Sequence, residues 1–231
     1  MIPYSDYYEK NLYPLQAGVL NIIENCSAHF YLTGGTALSR GYYKHRYSDD
    51  LDFFVNADST FREQVSSILS ALKQAGYFWD TEKDYFLTEN FCSIRLREKH
   101  SPTFLKIDFV NDIPEHFGEV IKTDIYCKTD SIRNILSNKI SALFRYEAKD
   151  VADIREIALH ERFNWADIIC EARQKEAGIE IPLMAEILND MPEAEFKYIK
   201  WIKNPEWEKF KSDIETIISD MLTNADNSLV G

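Results

Sequence analysis

The sequence predicts an α+β fold, with a mixed β-sheet and flanking helices in the first half and a helical bundle in the second. Three observations carry this. Short alternating or continuously apolar runs at 30–32, 50–55, 84–87, 91–97 and 103–110 are confined to the first half. Helical periodicity returns near Ser131 and dominates to about Leu222. Between them, the stretch "IPEHFGEVIKTD" has the composition of a turn-rich seam. The expected domains are therefore residues 1–125, which carry the sheet, and 126–231, which are helical. A cleft between two such lobes is where a ligand is expected.

Taken in order, residues 5–27 read as helical, with Leu15, Val19, Leu20, Ile22 and Ile23 supplying the apolar face. Pro14 breaks or starts a helix there. Phe30-Tyr31-Leu32 is a short strand ending in the Gly34-Gly35 turn, and Thr36 is placed to cap a helix to about Tyr43. Asp50–Val55 alternates as a strand does. Ser59 or Thr60 to Ala75 is an amphipathic helix with Phe61, Val65, Ile68, Leu69 and Leu72 on one face and Gly76 as its stop. Asp84–Leu87, Phe91–Arg97 and Thr103–Val110 are β-rich. Thr223–Gly231 is polar and reads as a frayed end.

With 231 residues, 45% of them hydrophobic, the chain can bury a core, which sets aside a disordered protein. No apolar run approaches the roughly 18 residues that span a bilayer, and Met1–Asp6 is neither basic nor apolar, so a soluble, cytoplasmic protein with no membrane partner is expected. Cys26, Cys92, Cys127 and Cys170 never form a CxxC pair, and the five histidines lack zinc spacing. The thiols are expected to be buried or half-buried. The net charge of −12 is uneven: residues 151–231 hold 9 basic and 17 acidic residues, whereas 30–150 hold 16 and 18. Any contact with nucleic acid must be local.

Asp50 and Asp52 are two apart on a predicted strand, so their side chains leave one face. Two such carboxylates repel unless a cation stands between them or one is protonated. Hard oxygen donors suit Mg²⁺. Asp108, in "FLKIDFV", lies on another strand between apolar neighbours. Three carboxylates from two neighbouring strands can serve two metal ions in phosphoryl or nucleotidyl transfer. The bland alternative has Asp50 capping a turn and Asp108 paired with Lys106 or an arginine.

The Gly-Gly turn, after a strand and before a helix, exposes N–H groups that can meet phosphate oxygens together with the Thr36 hydroxyl. Arg40, Lys44, His45 and Arg46 then lie between it and the aspartates. On the helix near 131–145, Lys139 falls within the stripe of Ile132, Ile135, Leu136, Ile140, Leu143 and Phe144. A lysine there needs a partner, either a phosphate or an active-site acid, unless it snorkels at the stripe's edge. Asp150 and Asp153 share a helix face, and Asp153 is placed to anchor Lys139 or Arg145. Arg95, Arg97 and Lys99 alternate along a strand, and Lys197, Lys200 and Lys203 flank Trp201 at helical spacing. Either set is a solvated face or a phosphate-backbone contact.

The strings "GGTALS…HRYSDDLDFF", "LKIDFV" and "NKISALFRYEAKDVADI" resemble the AbiEii/AbiGii toxin family of nucleotidyltransferases, within the DNA polymerase β-like superfamily. The resemblance covers roughly residues 29–158. It implies a nucleotidyltransferase-like sheet and a helical domain contributing to the active-site cleft. It assigns Gly34, Gly35 and Thr36 to the nucleotide phosphates and matches Lys149 to the helical motif; Arg46, Ser48 and Lys149 are also expected on the nucleotide. It assigns Asp50, Asp52 and Asp108 as catalytic metal ligands, Lys139 as catalytic, and Asp150 and Asp153 as supporting residues. The implied activity is transfer of a nucleoside monophosphate from an NTP to an acceptor hydroxyl with release of pyrophosphate. The implied cofactor is Mg²⁺, two ions, with Mn²⁺ as the alternative. A tRNA acceptor and a cognate antitoxin are the implied partners. Two other readings stay open: a small-molecule acceptor of aminoglycoside type, which an acidic pocket would suit, and a non-catalytic binding module of the same fold.

Overall fold

A computed structural model describes residues 4–230. Met1–Pro3, read above for a leader, and Gly231 of the polar tail lie outside it. The chain divides into two compact units, one ending at Asp130 and the other beginning at Ser131.

The first unit opens with α1 (Ser5–Tyr7), a wide π-type turn at Tyr8–Leu12, and α2 (Tyr13–Glu24), all one helical run. Pro14 therefore starts the α-helical segment rather than breaking the run; it has no N–H to lose at a first-turn position. Next come β1 (Tyr31–Thr33), α3 (Gly34–Thr36) with a π-type continuation to Tyr43, and β2 (Leu51–Asn56). α4 (Phe61–Gln74) ends at Gly76, whose φ of +91° supplies the left-handed stop. β3 (Tyr77–Phe78), β4 (Tyr85–Leu87), β5 (Phe91–Glu98) and β6 (Leu105–Asp112) complete the set. β3 escaped the sequence reading because two residues carry no periodicity.

The six strands form one mixed sheet in the order β1-β2-β6-β5-β3, with β4 also on β5. β2 and β6 are parallel and the other pairs antiparallel. Strand alternation divides the two faces. Leu51, Phe53, Ile94, Leu105, Ile107 and Phe109 point to one side and are buried. Phe109 stacks on Phe53 at 5.5 Å and meets Phe30 edge-on at 5.1 Å. Thr33, Asp52, Asp108 and Ser93 share the opposite face.

The second unit contains α5 (Ile132–Ala142), a 3₁₀ turn at Leu143–Arg145, α6 (Ala148–His160), α7 (Trp165–Lys175), α8 (Ile181–Asn189), α9 (Glu193–Tyr198) and α10 (Trp207–Thr223). Ser131 caps α5 by accepting from the Asn134 N–H. Two sequence expectations change here. α9 stops at Tyr198, so Lys197, Lys200 and Lys203 do not share a helix face. Trp201 is buried against Phe196 and Phe210, with Nε1 donating to the Phe196 carbonyl. Cys92 is buried and Cys26 and Cys127 are half-buried, but Cys170 is exposed on the outer side of α7. Among the described residues no helix is long and apolar enough to cross a membrane.

Phe109 has no solvent exposure and two aromatic neighbours. Phe109→Ala is expected to cost about 3–5 kcal/mol, read as a fall in the urea midpoint with little change in slope.

Candidate active site

The parallel pairing of β2 with β6 places Asp52 directly across from Asp108. Adjacent strands lie about 4.8 Å apart, so two like charges start within reach of each other. Asp50 stands one residue ahead of β2, two before Asp52. The same register continues across the sheet. Thr33 pairs with Asp52 on one side, and Ser93 pairs with Asp108 on the other. Ser93 Oγ donates to Asp108 Oδ1 at 2.6 Å, and Lys106 Nζ donates to Asp108 Oδ2 at 2.6 Å. Partial burial works against the charge on Lys106. Its hydrogen bond to Asp108 and the fields of Asp108, Asp50 and Asp52 outweigh that and hold it above the ordinary lysine value.

The glycine turn is built against these acids. Gly34 adopts φ +69°, and a Cβ there would come within 2.4 Å of Asp52 Oδ2. Only glycine both accepts that backbone and leaves the carboxylate its space. A Cβ on Gly35 would meet the Arg46 guanidinium at 2.6 Å and Ser48 Oγ at 3.0 Å. Arg46 and Ser48 are thus buried against the turn, and Arg46 also donates to the Tyr47 carbonyl at 3.1 Å. Thr36 is not the cap. It is fully buried inside the helix that Thr33 precedes, and its hydroxyl donates to the Asp50 carbonyl at 2.5 Å. It binds the glycine turn to the start of the DLD strand.

Two residues that the sequence reading did not single out hold the intervening loop. Gln16, fully buried on α2, donates to the carbonyls of Asp49 at 3.0 Å and Ser48 at 3.3 Å and accepts from Arg40 at 2.8 Å. Tyr8 stacks on Tyr47 with centroids 4.2 Å apart, and its hydroxyl donates to Asp49. Burial and the Asp49 carboxylate both push the Tyr8 hydroxyl well above the ordinary tyrosine range. Gln16 carried a signal: a polar residue between Leu15 and Val19 on an apolar face needs a buried partner.

In the second unit, Lys139 is buried on α5. Its Nζ lies 2.6 Å from Asp150 Oδ1 and 2.7 Å from Asp153 Oδ2, both on α6. Arg145 stands 3.6 Å from the other Asp150 oxygen. Lys149 is exposed, 3.9 Å from Glu147.

Among the described residues, no three Asp, Glu, His or Cys side chains stand together ready to hold a metal ion. Both Asp108 oxygens are already engaged. The donor set nevertheless fits magnesium in kind: it is hard oxygen, and glycine at 34 adds no side chain of its own against Asp52.

The comparisons with known proteins decide the family. The model of the nucleotidyl transferase AbiEii toxin family, type IV toxin–antitoxin system, matches residues 22–225. The chain belongs to this family. AbiEii proteins are toxin–antitoxin nucleotidyltransferases, and the sheet face described above is the part of this member that holds its paired acids. No curated protein matches the chain by sequence. Among solved structures it is similar to JHP933 from Helicobacter pylori, with TM-score 0.65, 18% identity, and 94% and 92% of the two chains covered. It also resembles a putative nucleotidyltransferase from H. pylori, at 0.62, 18%, and 91% and 94% covered. A third is MenT4, a nucleotidyltransferase toxin from Mycobacterium tuberculosis H37Rv, at 0.59, 13%, and 91% and 82% covered. At these identities the likeness is one of fold.

Two expectations follow from the geometry. Gly34 and Gly76 both have positive φ, but a Cβ on Gly76 meets nothing within 4 Å. Gly34→Ala should therefore melt about 2–4 °C or more below Gly76→Ala, because it adds displacement of Asp52 to the shared backbone strain. Lys139→Ala would leave two buried carboxylates without their cation and is expected to cost about 3–5 kcal/mol in chemical denaturation.

Proposed function

We propose that this AbiEii protein is a metal-dependent nucleotidyltransferase that moves a nucleoside monophosphate from an NTP to an acceptor hydroxyl, with tRNA as the acceptor. The observation that carries the reading is the row of side chains across one sheet face: Thr33, Asp52, Asp108 and Ser93, in register, with Gly34 packed on Asp52.

The acceptor oxygen would attack the α-phosphorus as the bond to the bridging β-phosphate oxygen breaks, releasing pyrophosphate in line. Asp50, Asp52 and Asp108 would hold Mg²⁺, or Mn²⁺ in its place, which supplies charge neutralisation and acidifies a bound hydroxyl. Asp108 would receive the acceptor's proton or align its oxygen. Gly34 and Gly35 would present backbone N–H groups to phosphate oxygens, while Thr36, Arg46 and Ser48 fix the turn that presents them. Lys139, held by Asp150 and Asp153, is the proposed cation for the substrate's phosphates. Lys149, exposed beside Glu147, is assigned the outermost part of the nucleotide.

A polynucleotide acceptor is favoured over a small cation by what extends from the acids on the same face. Arg95 pairs across the strands with Lys106, and Arg97 with Phe78. The Arg95 guanidinium lies 4.2 Å from the Phe104 ring centroid, and that of Arg97 lies 5.2 Å from it. Phe78 and Phe86 are exposed. Arginines layered with aromatic rings suit unpaired bases and their phosphates, and they offer little to an aminoglycoside. Lys99 falls beyond the end of β5, in a turn, and does not extend this row. A cognate antitoxin is the proposed protein partner.

Incubation with labelled NTPs and total tRNA, with and without Mg²⁺, tests the reading. Labelled tRNA that vanishes on metal removal and in Asp52→Asn, with the circular dichroism unchanged, is expected. Label found only on small acceptors, or full transfer by Asp52→Asn, would sink it.

A further inference from the structure

Asp52 and Asp108 face each other across β2 and β6, with Asp50 one residue ahead of β2. Lys106 stands two residues before Asp108 on β6, so the two side chains leave the same face. Its Nζ donates to one Asp108 oxygen at 2.6 Å, and Ser93 donates to the other at 2.6 Å. The fields of Asp50 and Asp52 also reach the ammonium. The lysine side chain is 47% exposed and that of Asp108 15%, so the cation can swing into water while the acid stays in place.

We propose that Lys106 is a resident cation of the carboxylate face, holding Asp108 in the substrate-free protein and giving way when a divalent ion binds. This rests on the metal-dependent reading above and adds a residue to it. Binding of the ion is then an exchange of one cation for another. The exchange costs little, because an ion pair open to water on its lysine side is weak. Meanwhile the acids are kept from splaying apart, so the donors stay ordered in the metal-free state. Lys139 differs, being buried between two acids.

The test uses the full chain, without nucleotide, and Mn²⁺ as the probe, followed by loss of its free EPR signal. Lys106→Met is expected to tighten Mn²⁺ binding about tenfold, since the ion no longer displaces a competing charge. The same variant is expected to melt lower than the wild type without metal and to recover more on adding Mg²⁺. Lys106→Arg keeps the cation and should stay close to wild-type affinity. Mn²⁺ affinity unchanged or weakened in Lys106→Met, while Asp52→Asn loses binding, overturns the lysine's role and leaves the metal site standing. Wild-type affinity in Asp52→Asn overturns both. Should Lys106→Met fail to fold, Lys106→Gln carries the same comparison.

Discussion

Repulsion between Asp52 and Asp108 is the constraint from which the first unit is built. Their pairing on parallel strands puts two charges one strand spacing apart. At an effective dielectric of about 20 that opposes folding by on the order of 3 kcal/mol if nothing compensates. Each neighbour answers that cost or protects the space it creates. Ser93 donates to one oxygen of Asp108 and Lys106 to the other. Gly34 adds no side chain of its own against Asp52, and Thr36 ties the turn to Asp50. The register that makes the acids repel is also the register that sets them side by side on one sheet face.

The second unit meets the reverse problem, a lysine inside a helical stripe. Two acids on α6 enclose it, and Arg145 approaches the free side of Asp150. A buried arrangement of this kind contributes little net stability, because desolvating three charges consumes most of the attraction. What it fixes is position: the ammonium cannot wander, and its preferred partners are already oxyanions. That is the property wanted in a cation that is to receive phosphate.

Much of this was legible from spacing. The DLD alternation and the apolar flanks of Asp108 placed three acids on two strands, and the stripe around Lys139 asked for a partner, a phosphate or an acid, unless the lysine snorkelled at its edge. The period-two runs marked each strand longer than two residues. Other features depend on contacts that no local pattern encodes. Whether β2 lies beside β6, and in what register, is set by sheet topology and decides which acid faces which. Thr36 looked like a cap because it follows two glycines. The helix instead begins at Gly34, where a positive φ turns the chain, three residues before a Thr36 cap would have started it. The spacing of Lys197, Lys200 and Lys203 suggested a helix face, but burial of Trp201 against Phe196 and Phe210 ends the helix first. Gln16 and Tyr8 act on residues more than thirty positions away.

In both units the cations proposed for function already have carboxylate partners in the substrate-free chain. Under the proposed function, a nucleotide with its metal would exchange ion pairs instead of meeting bare charges. Such exchange fits a chain of net charge −12, where unpaired phosphates gain nothing from the overall field. On that proposal attraction would be generated locally, by pairing the acids with a divalent ion and freeing the ammonium beside them. The two exchanges differ in cost. The Lys106 side chain is 47% exposed, while that of Lys139 is mostly buried between its two acids. Exchange should therefore come more readily at the lysine of the sheet than at the lysine of the helix.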